Sequence, residues 1–153
     1  MQNQEVEAFR FVATAYCDFI DSCRIFEEKE SFRKLLRIIS HLYTTALDLP
    51  EIEPEDEHSI DLDFPLPKVD VKYHNLYTEI FDPYQDEKPV NGCLDDDIMG
   101  IYRDIKKGLI LYEQGKSIEA VWEWRFGLEM HWGEHATSAI RALHAINYVT
   151  RPT

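Results

Sequence analysis

Near the C-terminal end of the sequence, His131-Trp132-Gly133-Glu134-His135 places two imidazoles and a carboxylate within about one helical turn. Side chains four apart share a helix face, so the two histidines are spaced to hold one metal ion while Glu134 polarises a water. The order His-x-x-Glu-His is that of the inverted zincins, and zinc or iron suits such donors. A hydrolytic zinc centre needs a third protein ligand, which enzymes of that kind take from a later helix. Only 18 residues follow His135, and none is acidic. The missing ligand would have to be Asp97 or Asp104, seven apart and therefore on one face of an earlier helix. The metal reading thus names His131, Glu134, His135, Asp97 and Asp104 as candidates, and a small metal-dependent hydrolase as the activity. The plainer reading is a polar network in which His131, Glu134, His135 and Ser138 satisfy one another and neighbouring chains. With the third ligand in question, the plainer reading is preferred.

Other motifs are weaker. Trp122-Glu123-Trp124-Arg125-Phe126, followed by Trp132, resembles a stacking box, but at helical spacing the rings radiate in different directions and packing explains them better. Arg125 is expected to lie across one of these rings. A small-molecule pocket lined by Trp124, His131 and the helix before them is a third option. Gly115-Lys116-Ser117 is not a phosphate loop, because Ile110 stands where the first glycine belongs and a helix precedes it. An EF-hand between residues 86 and 98 fails at Pro89 and Ile98, where oxygen ligands are required. No predicted helix carries the Glu-x-x-His pair of a di-iron centre.

The elements that must position these residues are helices. Gln4 to Asp21 reads as the first, with Ala8, Phe11, Val12, Ala15, Tyr16, Phe19 and Ile20 as its apolar stripe. Ser31 to Asp48 is the second, burying Phe32, Leu35, Leu36, Ile39, Leu42, Tyr43 and Ala46 until Leu49-Pro50 ends it. Residues 49–68 hold four of the seven prolines and form a long acidic loop. Within it Ile60, Leu62, Phe64 and Leu66 alternate with polar residues and proline, the pattern of an extended strap with one apolar face. A shorter third helix is predicted over Val69 to Phe81, then a second acidic loop with a turn at Asn91-Gly92. The fourth runs from Leu94 to Glu113, with Asp95, Asp96 and Asp97 in its first turn and Gly115 as terminator. The fifth begins at a Ser117 cap and reaches toward Val149. It is apolar nearly all round, so it is expected to be the buried staff of the bundle, kinked near Gly127 or Gly133.

Charge is distributed unevenly. The chain of 153 residues carries a net charge of −13. Between Asp48 and Gly100 stand 16 acidic residues against 3 lysines, while the rest holds 13 acidic against 13 basic. All the excess negative charge lies in one third of the sequence. That field disfavours nucleic acid and anionic membranes and attracts basic partners. Glu51, Glu53, Glu55, Asp56, Glu57, Asp61 and Asp63 are the candidate partner-binding carboxylates. The opening residues carry no basic leader and no apolar run approaches a membrane span, so a cytoplasmic protein is expected. Cys17, Cys23 and Cys93 form no C-x-x-C pair and are expected to be reduced and mostly buried.

Several stretches are similar to a bacterial family of unknown function: Phe81-Asp-Pro-Tyr, Asp97-Ile-Met-Gly-Ile-Tyr-Arg-Asp-Ile-Lys, Ala120-Val-Trp-Glu-Trp-Arg-Phe, His131-Trp-Gly-Glu-His and Ala139-Ile-Arg-Ala-Leu-His. The resemblance implies a bacterial, all-helical protein and brings no activity, cofactor or ligand with it. It makes His131-Trp-Gly-Glu-His look like a family feature without telling packing from function. Taken together, the sequence predicts one all-α domain over residues 1–153. Its architecture is an antiparallel bundle of four to five helices with a long acidic loop between helices two and three. The leading functional expectation is a non-enzymatic interaction or accessory protein for a basic partner, and the alternative is the metal-binding protein or hydrolase above.

Overall fold

Helix α1 (Gln4–Ser22) starts where the Asn3 side chain accepts hydrogen bonds from the Glu5 and Val6 amides, at 2.8 and 3.1 Å. Such a cap contributes about 1 kcal/mol. The computed structural model describes residues 3–54 and 61–149. Helix α1 buries Val6, Phe9, Ala13, Tyr16, Cys17 and Ile20; of the expected stripe Tyr16 and Ile20 are buried and Val12 and Phe19 lie at the margin, whereas Ala8, Ala15 and Phe11 are exposed, Phe11 at 78%. Phe9 and Phe11 lie about 200° apart on a helix, so α1 has two apolar sides. The choice between them is made by partners distant in sequence: Phe9 packs on Trp124 at 4.9 Å and on Trp132 at 6.1 Å between ring centroids. Each ring of this kind removed from water stabilises the fold by roughly 1.5–3 kcal/mol.

Helix α2 (Lys29–Ala46) buries the expected stripe of Phe32, Leu35, Ile39, Leu42 and Ala46, with Leu36 and Tyr43 at its margin. In residues 49–54 and 61–69, Ile52, Leu62, Phe64 and Val69 press on the core while Glu53, Asp61 and Asp63 face out. The segment is tied down where Asp70 exchanges backbone hydrogen bonds with Arg24 and Phe26, both at 2.8 Å. Of the expected apolar face, Leu62 and Phe64 pack on the core and Leu66 is exposed; Ile60 lies outside the described residues.

The predicted third helix does not form. At Lys72 the backbone turns left-handed (φ 56°), held by the Asp70 side chain accepting from the Lys72 amide at 2.9 Å. A short 3-10 turn (Lys72–His74) leads into strand β1 (Leu76–Glu79), antiparallel to β2 (Val90–Cys93), with Tyr77 opposite Gly92. Alternation decides it: Tyr77 and Glu79 turn inward while Leu76 and Thr78 stay exposed, which is period two and not 3.6. Asn91-Gly92, read as a turn, lies inside β2.

Helix α3 (Leu94–Glu113) has the predicted bounds. Its start is capped from a distance by Asn75, whose backbone carbonyl takes the Leu94 amide and whose side chain takes the Asp95 amide, at 2.8 and 2.9 Å. Gly115 (φ 80°) ends it as expected, with Gly115 and Lys116 amides returning to Tyr112 and Leu111 carbonyls. Tyrosines tie α1 to α3: Tyr16 donates to the Ile98 carbonyl at 2.7 Å and Tyr102 to Asp21 at 2.8 Å.

The predicted long last helix is two helices, α4 (Ser117–Met130) and α5 (Trp132–Tyr148), broken at His131 (φ −149°, ψ −79°) between the two glycines that mark its expected kink. Gly133 permits the elbow, since a Cβ there would stand 1.9 Å from the Leu128 carbonyl oxygen. Lys116, not Ser117, occupies the capping position of α4. Nor is α4 buried all round: Trp124 is fully buried, while Phe126 and Met130 are exposed and Trp122 stacks on Phe126 at the surface. Arg125 pairs with Glu51 and Glu129 at 3.1 and 3.4 Å, with no ring beneath it. The architecture is the expected all-α bundle, with five helices and one small hairpin among the described residues. No described helix is long and apolar enough to cross a membrane.

Candidate functional site

Asp97, Gly100 and Asp104 follow one another at helical spacing, so one face of α3 presents two carboxylates with a gap between them. The start of α5 lies against that face. His135 Nδ1 meets Asp97 Oδ1 at 2.8 Å, and His131 Nδ1 meets Asp104 Oδ2 at 2.7 Å. The gap at Gly100 is where the His135 ring rests, because a Cβ there would come within 2.7 Å of its Cδ2. The two imidazoles sit edge to face, 4.9 Å apart.

A third element joins the pair. Tyr77, on β1, donates its hydroxyl to Asp97 Oδ2. Two residues along the same face of that strand, Glu79 accepts from Ser138 of α5 at 2.7 Å. Asp97 is 5% exposed and thus holds the hairpin, α3 and α5 together. Burial pushes its carboxyl up, against the opposing pull of His135 and Tyr77. The hydrogen bond to Asp97 raises the His135 imidazole, against the desolvation of a ring 29% exposed. Burial first, and Asp97 second, raise the Tyr77 phenol.

The sequence candidates therefore come together as two His–Asp pairs, but not as one ligand shell. Asp97 and Asp104 each spend an oxygen on an Nδ1, the place of a carboxylate that orients a ligating histidine, not of a ligand. The imidazole Nε2 atoms are what a metal could take. Glu134 is exposed and lines a groove beside Thr137 and Arg141. Among the described residues, the three donors close enough to share one ion are Cys93, Asp95 and Asp96, where α3 begins. Trp124 does not line a pocket with His131: its indole is buried and donates to the Ile105 carbonyl at 3.1 Å.

The acidic candidates lie elsewhere, on the strap. Glu51 pairs with Arg125, its side chain 80% exposed, and Glu53, Asp61 and Asp63 are exposed; Glu55, Asp56 and Glu57 lie outside the described residues. Tyr77 and Glu79 are not among the sequence candidates, because the apolar spacing of their segment locally predicts a helix. Their signal was the alternation Tyr77, Glu79 against Leu76, Thr78, Ile80.

A family model described as a domain of unknown function, DUF5063, matches residues 1–149. The chain belongs to that family. Its fold is similar to the crystal structure of protein BF1032 from Bacteroides fragilis, a structural genomics target. The TM-score is 0.76 at 19% identity, over 99% of this chain and 97% of the other. At that identity the likeness speaks for the fold alone. No curated protein matches the chain. The family match spans the strap and hairpin together with the helices, so the acidic segment belongs to the domain.

Proposed function

We propose that this domain is a non-enzymatic interaction protein whose acidic strap and hairpin dock a basic partner. One observation carries the reading. Among the described residues, Glu53, Asp61, Asp63, Asp86 and Glu87 are exposed with no ion pair, in the third of the chain that holds the whole charge excess. Carboxylates left without counter-charge in this segment, on an otherwise neutral chain, set up a negative field around it. Such a field speeds and steers association with a cationic surface more than it tightens the final complex. The His135–Asp97 pair, joined by Tyr77, fits this reading as the clamp that holds the hairpin in place.

The test is capture from lysate of the source cell on wild-type protein and on a Glu53→Lys/Asp61→Lys/Asp63→Lys variant. A basic protein retained at low salt, eluted by about 0.3 M salt and missing from the variant column supports the proposal. A partner held equally by both, or one indifferent to salt, overturns it.

A further inference from the structure

Between the hairpin and α5 runs a groove of about 680 Å3. Ile80, Phe81 and Pro83 form its apolar wall, and Ile80 and Phe81 are 50% and 61% exposed. The opposite wall is α5, with Glu134 at one end and Arg141 at the other; Glu79 stands beside Ser138 in between. Seven helical residues separate Glu134 from Arg141, about 10 Å along the axis. The groove is thus polarised, acidic at one end, basic at the other and apolar along one side.

Its dimensions select the shape of an occupant. Three extended residues cover the same 10 Å or so, and side chains two apart in an extended chain point the same way. Thr78, Glu79, Ile80 and Pro89 line the groove on the hairpin side, and an extended segment is the form that fits its length. Charge selects its composition: Glu134 favours a cation at one end and Arg141 a carbonyl or carboxylate at the other, with Glu79 between them.

We infer that this groove seats an extended segment of the basic partner, with a lysine or arginine over Glu134 and a large apolar residue two positions on, against Ile80 and Phe81. The inference rests on the proposal that the partner is basic and adds where recognition, as distinct from attraction, takes place.

Two acetylated, fluorescein-labelled peptides of equal charge test it. One has the repeat Lys-Ser-Leu, the other Lys-Ser-Ser. Wild-type protein should bind the leucine peptide about tenfold more tightly than the serine peptide, the effect of burying one leucine in a partly open groove. An Ile80→Ser/Phe81→Ser variant, with helicity and melting temperature checked, should erase that preference. Glu134→Lys, at an exposed position, should weaken the leucine peptide more than the serine peptide. Equal affinity of wild type for both peptides overturns the groove, as does a preference that survives in both variants. Either result leaves attraction to the strap standing. If neither peptide weakens on the Glu53→Lys/Asp61→Lys/Asp63→Lys variant, docking on the acidic strap itself is overturned.

Discussion

Asp97 and Asp104 on α3 and Asp61 and Asp63 on the strap are the same residue type put to opposite uses. The α3 pair faces the bundle, and each carboxylate is held by an imidazole within 2.8 Å. The strap pair faces solvent with no cation beside it. A carboxylate taken out of water needs partners on its oxygens, and once partnered it fixes the elements that supply them. A carboxylate left in water fixes nothing locally but adds to a field felt over roughly a Debye length. This protein keeps the two roles in separate regions, so each can be disturbed without the other.

The largest effect should follow removal of the central clamp. Asp97→Ala leaves Tyr77 and His135 without their partner, and breaking such a buried pair costs about 3 kcal/mol. For a domain of this size that is a fall in melting temperature of roughly 6–12 °C, measurable by circular dichroism. A variant that melts like wild type would mean that the hairpin is not held through Asp97.

The same clamp should respond to pH in one direction. His135 is raised in the folded state by Asp97, so its stabilisation is complete below the ordinary imidazole value of about 6.5 and fades as pH climbs through the higher folded-state value. Asp97, Tyr77, Asp104, Glu134 and the neighbouring His131 face or adjoin the ring and are present in both proteins. The melting-temperature gap between wild type and His135→Gln should therefore be wider near pH 6 than near pH 9. A gap that widens toward pH 9 would reverse the assignment.

How much of this contrast the sequence carries depends on where its partners lie. Helix α3 was legible to its end residues, because a long apolar repeat, three aspartates and Gly115 all mark the same bounds. The strap was legible through its prolines and alternation. The hairpin was not: β2 is four residues long and contains Asn91-Gly92, which reads locally as a turn. The buried side of α1 was not either, since Phe9 is chosen over Phe11 by two tryptophans more than a hundred residues away. His131, His135, Asp97 and Asp104 were legible as a set because seven- and four-residue spacings survive folding. Their pairing through Nδ1 was hidden, as was Tyr77, because both depend on how the elements meet.

Smaller effects sharpen the division between inside and outside. Burial lifts the Cys17 thiol to about 12, whereas Cys23 and Cys93 are only half-buried. A thiol reagent at neutral pH should titrate Cys23 and Cys93 in the native protein and Cys17 only after unfolding. This also corrects the expectation that all three are mostly buried. The smallest effect on stability belongs to the strap: Glu53→Lys/Asp61→Lys/Asp63→Lys should move the folding free energy by no more than about 0.5 kcal/mol per site, as exposed substitutions do.

The most direct test of docking on the acidic strap is the salt dependence of binding to the Lys-Ser-Ser peptide, which is attracted by charge alone. Wild-type affinity should fall at least about tenfold between roughly 50 and 300 mM salt, and the strap variant should start weak and change little. The same steep dependence in both proteins would contradict the claim, because the attraction would then not depend on Glu53, Asp61 and Asp63.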